Sequence, residues 1–152
     1  SSIQKEIDKR IVAEGLETMV RTDLTDDGLE LSLNSGIVFD SGKSAVRPEI
    51  ENTLAAMLQT LVPYAEKYDF AIEGHTDIKR FVNGGGSYRS NWELSTERAN
   101  AVRSRLEKEG IDRSRIRVEG YADTKPIPKE RLIGLSSEER LARHRRVVVR
   151  IY

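Results

Sequence analysis

The chain has 152 residues, enough for one domain with a real hydrophobic core. Apolar residues make up 38% and charged residues 33%, the balance of a folded protein with a highly charged surface and not of a disordered chain. Lysine plus arginine equals aspartate plus glutamate at 25 each, so no global field draws the chain to nucleic acid or anionic lipid, and the lack of cysteine excludes a disulfide framework, a thiol nucleophile and a cysteine-based zinc site.

In chain order, Ile3, Ile7, Ile11, Leu16, Met19 and Val20 recur at helical spacing and predict an amphipathic helix over residues 3–20. Asp27-Gly28 is a turn signal. Leu29, Leu31 and Leu33 then alternate with polar residues, as in a half-buried strand. Residues 36–47 read as a loop containing Phe39-Asp40-Ser41-Gly42. Pro48 suits the first turn of a second helix, whose stripe is Ile50, Leu54, Met57, Leu58 and Leu61, with Pro63 kinking or ending it. Phe70 to Gly74 is a short strand running into His75-Thr76-Asp77. A glycine-rich loop to about Arg89 follows. Ser90 and Glu93 have capping-box spacing for a third helix with the stripe Leu94, Val102 and Leu106, which Gly110 ends. Residues 115–120 form a strand, 121–135 a loop, 137–142 a short helix and 146–152 the last strand. Helices alternating with strands predict an α/β sandwich with helices over one sheet. One boundary is expected near residue 21, dividing a linker helix (1–21) from the domain proper (22–152).

Two charged residues stand out. Asp77 lies just past a strand end. Arg98 shares the face of Leu94 and Val102, where a guanidinium must be paired or meet a ligand because burying it alone is costly. Together they suit a clamp for a molecule with both an amine and a carboxylate, although each has a plainer reading: Asp77 as a turn residue, Arg98 as its structural ion-pair partner. The chain has two histidines, His75 and His144, without metal-ligand spacing, so a structural His75 is the simpler reading and neither metal nor cofactor is expected. A Gly-Gly-Gly run at 84–86 lacks the Lys-Ser or Lys-Thr of a phosphate loop. Arg140, Arg143, Arg145 and Arg146 form a basic cluster, but zero net charge and the lack of interleaved aromatics argue against nucleic acid. Trp92 reads as a packing anchor. No nucleophile elbow is present, so an amidase or carboxypeptidase is disfavoured.

Gly74-His75-Thr76-Asp77, then Asn91-Trp92-Glu93-Leu94-Ser95 and Arg98-Ala99, resembles the core motif of OmpA-like peptidoglycan-binding domains. Phe39 to Ser44 resembles that family's entry motif, and Gly120-Tyr121-Ala122-Asp123 and Arg145-Arg146-Val147 its later ones, so the resemblance spans residues 29–152. The loop with Asn83-Gly84 and Tyr88, together with Asp23-Leu24-Thr25 and Gly28-Leu29, is similar to the MotB-type flagellar stator branch. The resemblance implies an OmpA-like β-α-β-α-β-(α)-β order with helices packed on one mixed sheet. It also implies a ligand, the diaminopimelate of the peptide stem, with Asp77 taking the ammonium and Arg98 a carboxylate. Thr76, Asn91 and Arg145 would add polar contacts, and backbone N–H groups at Phe39 and Asp40 would bind carboxylate. His144 stands where the family usually has Asn.

No apolar run approaches a membrane span and no signal peptide is visible. The opening Ser1-Ser2 suggests a fragment whose anchoring segment has been cut away. The stator branch implies a periplasmic domain held to the inner membrane by an N-terminal helix, a membrane partner subunit and a homodimer. An outer-membrane or defence-system wall anchor is the alternative. The first helix, by its amphipathic pattern and position, is expected to regulate wall binding.

Overall fold

The computed structural model describes residues 2–79 and 90–152. Five strands form one mixed sheet in the order β1-β2-β5-β3-β4: β1 (Val20–Thr25), β2 (Gly28–Asn34), β3 (Phe70–His75), β4 (Ile116–Gly120) and β5 (Arg146–Ile151). Only β3 and β4 run parallel, and such a pair needs a crossover, which α4 (Asn91–Lys108) supplies. The remaining helices are α1 (Ser2–Ala13), α2 (Ser35–Val38), α3 (Glu51–Gln59) and α5 (Ser137–His144). The layered α/β arrangement expected from the sequence is the one observed.

Strand alternation gives the sheet two faces of opposite character. Leu29, Leu31 and Leu33 of β2 stand in register with Ile151, Val149 and Val147 of β5, and these with Phe70, Ile72 and Gly74 of β3. This face packs with Leu54, Met57, Leu58, Ala99, Val102 and Leu106 from α3 and α4 into one hydrophobic cluster. The opposite face is polar. Arg150 on β5 donates to Glu30 on β2 and to Glu73 on β3, each at 2.9 Å, tying three strands together.

Two boundaries differ from expectation. The first helix stops at Ala13 because Gly15 takes a left-handed φ of 68° and turns the chain. Leu16 and Met19 are buried beyond it, and Val20 begins a strand that the sequence does not advertise. That strand lies at the sheet edge, where exposed Arg21, Asp23 and Leu24 hide any alternation. The division near residue 21 does not interrupt the packing, since Ile7 and Ile11 belong to the same cluster as Leu31 and Val149. Gln4 donates to the Thr22 hydroxyl, which donates in turn to Asp8 at 2.6 Å, so α1 is also tied to β1 by polar contacts.

Candidate functional site

The site gathers at the carboxyl end of β3. Gly74 lets α4 approach until the backbones touch: a Cβ there would lie 2.5 Å from the carbonyl carbon of Ser95 and closer still to its oxygen. Asp77 is three residues past Gly74 and Arg98 three residues past Ser95, so one close contact fixes both. Ser95 also joins the neighbouring loop. Its hydroxyl accepts from the Ala122 N–H at 3.1 Å and donates to the Trp92 carbonyl, while the Thr76 N–H donates to the Ala122 carbonyl at 2.8 Å. Ala122 has φ 52°, a left-handed value unusual for a non-glycine residue, held by bonds on both its N–H and its carbonyl.

Asp77 is buried but well supplied with donors. Its Oδ1 accepts from the Lys79 N–H at 2.8 Å and its Oδ2 from Arg145 Nη1 at 2.7 Å. One oxygen thus serves the turn and the other an ion pair with Arg145. Arg145 sits on the connection from α5 to β5, and its carbonyl accepts from the Ser35 N–H.

Arg98 is 5% exposed. It donates to the carbonyls of Lys43 at 2.8 Å and Asp40 at 3.1 Å and lies over the Phe39 ring, 5.0 Å from its centre. The entry loop is thus wrapped around the guanidinium. This corrects one expectation. The Phe39 N–H does not face outward for a carboxylate but donates to the Ser35 carbonyl, closing the end of α2. The loop turns the carbonyls of Asp40 and Lys43 toward Arg98 and so holds that side chain. Thr76 is buried, its hydroxyl donating to the Asp77 carbonyl at 3.0 Å, and the Asn91 amide donates to the Lys79 carbonyl at 2.9 Å. Both brace the turn that carries Asp77.

Three further residues differ from or extend the sequence reading. Trp92 is 52% exposed and does not anchor the packing of α4, because position 92 lies outside the Leu94, Ser95, Arg98 and Val102 stripe. His75 Nε2 pairs with Glu73 Oε1 at 3.2 Å while Nδ1, also buried, has no partner among the described residues; the ring stacks on Tyr121 with centroids 5.4 Å apart. Burial opposes charge on Glu73, but hydrogen bonds from His75 and Arg150 and the Arg150 charge outweigh it and hold the carboxyl at about 2. Burial pushes His75 below its usual value. His144 donates from Nδ1 to the Arg140 carbonyl at 2.7 Å and accepts at Nε2 from the Ile127 N–H at 3.2 Å, so it pins the loop before α5. Spacing alone gave no signal for that role. The capping box Ser136-x-x-Glu139 at the start of α5 was readable in the sequence by the same pattern as Ser90 and Glu93. The Gly84–Gly86 run, Asn83 and Tyr88 lie outside the described residues.

The chain is 30% identical to Motility protein B of Bacillus subtilis over 151 residues, covering 99% of this chain and 55% of that one. It is 33% identical to Motility protein B of Escherichia coli over 113 residues, covering 72% and 36%. It thus spans about half the length, or less, of these curated relatives. Among solved structures, a putative MotB-like protein from Desulfovibrio vulgaris has the same fold, with a TM-score of 0.85 at 22% identity over 99% of this chain and 88% of that one. The cell wall anchor of the T6SS from Pseudomonas aeruginosa follows at 0.76 and 24% identity, over 96% of both. The OmpA family model matches residues 38–140, the stretch from the entry loop through α4 to α5, and the chain belongs to the OmpA family.

Proposed function

We propose that this domain binds peptidoglycan non-covalently and anchors a membrane complex to the cell wall. The observation that carries the reading is the placement of two buried, opposite charges by one backbone contact: the Asp77 carboxylate past the end of β3 and the Arg98 guanidinium one turn past Ser95. Its ligand is the diaminopimelate of the stem peptide, an amino acid that presents an ammonium and a carboxylate from one centre. Asp77 takes the ammonium and Arg98 the carboxylate. Arg145 flanks Asp77 and adds a second cation for the same carboxylate. Thr76 and Asn91 hold the turn, and the Phe39–Asp40 loop holds Arg98. The chemistry is recognition without bond cleavage, so the domain is a binding module and not an enzyme.

The complex it serves is a flagellar motor stator. This finer reading is supported by the Motility protein B likeness, which runs through the whole chain, including α1 and β1 that lie before the family match. The domain would act in the periplasm as a homodimer, joined to an inner-membrane segment and a membrane partner subunit, with α1 regulating access to the wall. The alternative is a wall anchor of another machine, which the fold shared with the T6SS anchor and a 32% identical probable lipoprotein of Escherichia coli favours. Co-sedimentation with purified peptidoglycan tests the binding. The native chain is expected to pellet with diaminopimelate-containing walls and much less with lysine-containing ones. Asp77→Ala and Arg98→Ala, checked for folding, are expected to stay in solution. Equal pelleting of all three proteins would refute the clamp.

A further inference from the structure

The polar face of the sheet, away from the Asp77 site, holds a cavity of about 440 Å³ under the loop that carries Pro126 and Pro128. A second one of about 180 Å³ adjoins it beside α5 and reaches Arg145, the partner of Asp77. Arg21, Arg143, Arg146 and Ser32 line both. They come from β1, α5, β5 and β2, so four separate elements converge on one spot.

The charges here are unevenly paired. Arg150 is neutralised by Glu30 and Glu73. Arg131 reaches Asp23 at 3.5 Å and Glu30 at 3.8 Å, and the Lys125 ammonium lies over the Tyr121 ring. The acids of the cavity wall are thereby largely engaged, Asp27 at the β1–β2 turn being the exception. Arg21 and Arg143 have no salt bridge among the described residues. Among the described residues Arg146 donates to the carbonyls of His144 and Lys125, both at 3.0 Å, which orient its guanidinium, and Glu30 and Glu73 act on its charge without a direct bond. Glu139 lies near Arg143 but also accepts from the Ser136 N–H in the capping box. Burial pushes Arg146 down to about 10 against the opposing pull of Glu30 and Glu73, and burial together with the Arg21 charge pushes Arg143 down against that of Glu139.

Like charges gathered on three elements repel one another, and an anion among them would relieve the repulsion. One carboxylate supplies a single charge and two oxygens for three guanidiniums. A phosphate group supplies close to two charges and at least three acceptor oxygens, which match several planar forks. We propose that Arg21, Arg143, Arg146 and Ser32 form a phosphate-binding site on the polar face of the sheet, for a phosphate ester in solution or a phospholipid headgroup.

The probe is inorganic phosphate, titrated into the ¹⁵N-labelled 152-residue chain while the arginine Nε–Hε and Ser32 amide resonances are followed. Saturable shifts are expected. Arg21→Gln and Arg143→Gln, both at positions open enough to solvent to keep the fold, are each expected to weaken binding about tenfold, the loss of one charge-assisted contact. Both variants are expected to sediment with peptidoglycan as the native chain does, which separates this site from Asp77 and Arg98. Flotation with phosphatidylglycerol vesicles but not phosphatidylcholine, lost in Arg21→Gln, would assign the headgroup, and phosphate binding without flotation would assign a soluble ester. No saturable shift, a shift that survives in the double variant, or equal binding of acetate would overturn the proposal.

Discussion

Gly74→Ala is the smallest change that should separate the two halves of the site. The added methyl carbon would stand 2.5 Å from the carbonyl carbon of Ser95 and 3.0 Å from its Cα, with the carbonyl oxygen nearer still. Carbon atoms in contact prefer about 3.5–4.0 Å, so the helix must retreat by roughly 1 Å or β3 must bend. Neither yields easily. The β3 residue is held between β4 and β5, and α4 is buried along Leu94, Ala99, Val102 and Leu106. Overpacking against backbone, with no flexible side chain to swing aside, puts the loss at about 3 kcal/mol, the upper end of the usual range. A retreat of α4 also carries Arg98 away from Asp77 and pulls the Ser95 hydroxyl from the Ala122 N–H. Urea unfolding should therefore show a large drop in midpoint, and any folded protein should sediment poorly with peptidoglycan. Gly110→Ala is the control. Its φ of 100° makes alanine strained, but nothing lies within 4 Å of the added carbon, so stability falls while wall binding stays. A Gly74→Ala protein within about 0.5 kcal/mol of native stability and with native wall binding would refute the reasoning.

Acid should destabilise the fold in a defined order. Burial holds His75 below its usual 6.5, so the folded chain binds fewer protons there than the unfolded chain, and stability begins to fall as pH drops through about 6.5. Glu73 is held at about 2 against an ordinary 4.5, so its contribution, about 3 kcal/mol, is full above about pH 4.5 and is lost between there and about 2. The hydrogen bonds from His75 and Arg150 and the Arg150 charge carry that second step, and Glu73→Gln should flatten it; urea midpoints that stay constant from pH 7 to 3 would contradict both assignments. Ser136→Ala removes one half of the α5 capping box and should lower stability by about 1 kcal/mol without touching the wall site, as thermal melts would reveal. Arg98→Lys keeps the charge but cannot reproduce a planar group that donates to two carbonyls and lies over Phe39, so wall binding should weaken at least about tenfold, and native binding would show that charge alone suffices.

Much of the fold was legible because its signals are local. Alternating leucines marked β2, the 3.6-residue stripe marked α4 and Gly110 marked its end. β1 was not legible, since an edge strand with one buried residue, Val20, at its start has no periodicity to read. The inward position of Arg98 followed from its shared face with Leu94 and Val102, and its burial agrees. Its partners did not follow, because the carbonyls of Asp40 and Lys43 come from a loop more than fifty residues away. The same holds for Arg145, which resemblance alone placed near the site and which the structure joins to Asp77 across 68 positions. Sequence spacing reports what one element does with its own neighbours, whereas ion pairs between elements depend on how the sheet is ordered.

The Asp77–Arg145 pair bears on how tightly the proposed ligand can be held. A buried carboxylate left bare would be costly, and Arg145 spares the ligand-free domain that cost. An incoming ammonium therefore meets a carboxylate already paired, and Arg98 already donates to two carbonyls. Binding exchanges or shares contacts instead of neutralising isolated charges, so each polar contact should add nearer 1 than 3 kcal/mol. One domain on one stem peptide should then bind weakly and let go readily. A wall presents many stems, and two linked domains would raise the effective concentration of each for the next, so firm anchoring needs no strong single site. Isothermal titration with a soluble diaminopimelate-containing stem peptide should give a dissociation constant in the range of about 10 micromolar or weaker, while insoluble wall retains an artificially dimerised chain at least tenfold better than the single chain. Nanomolar binding of the soluble peptide by the single domain would show that the pair opens at no cost and that the exchange argument is wrong.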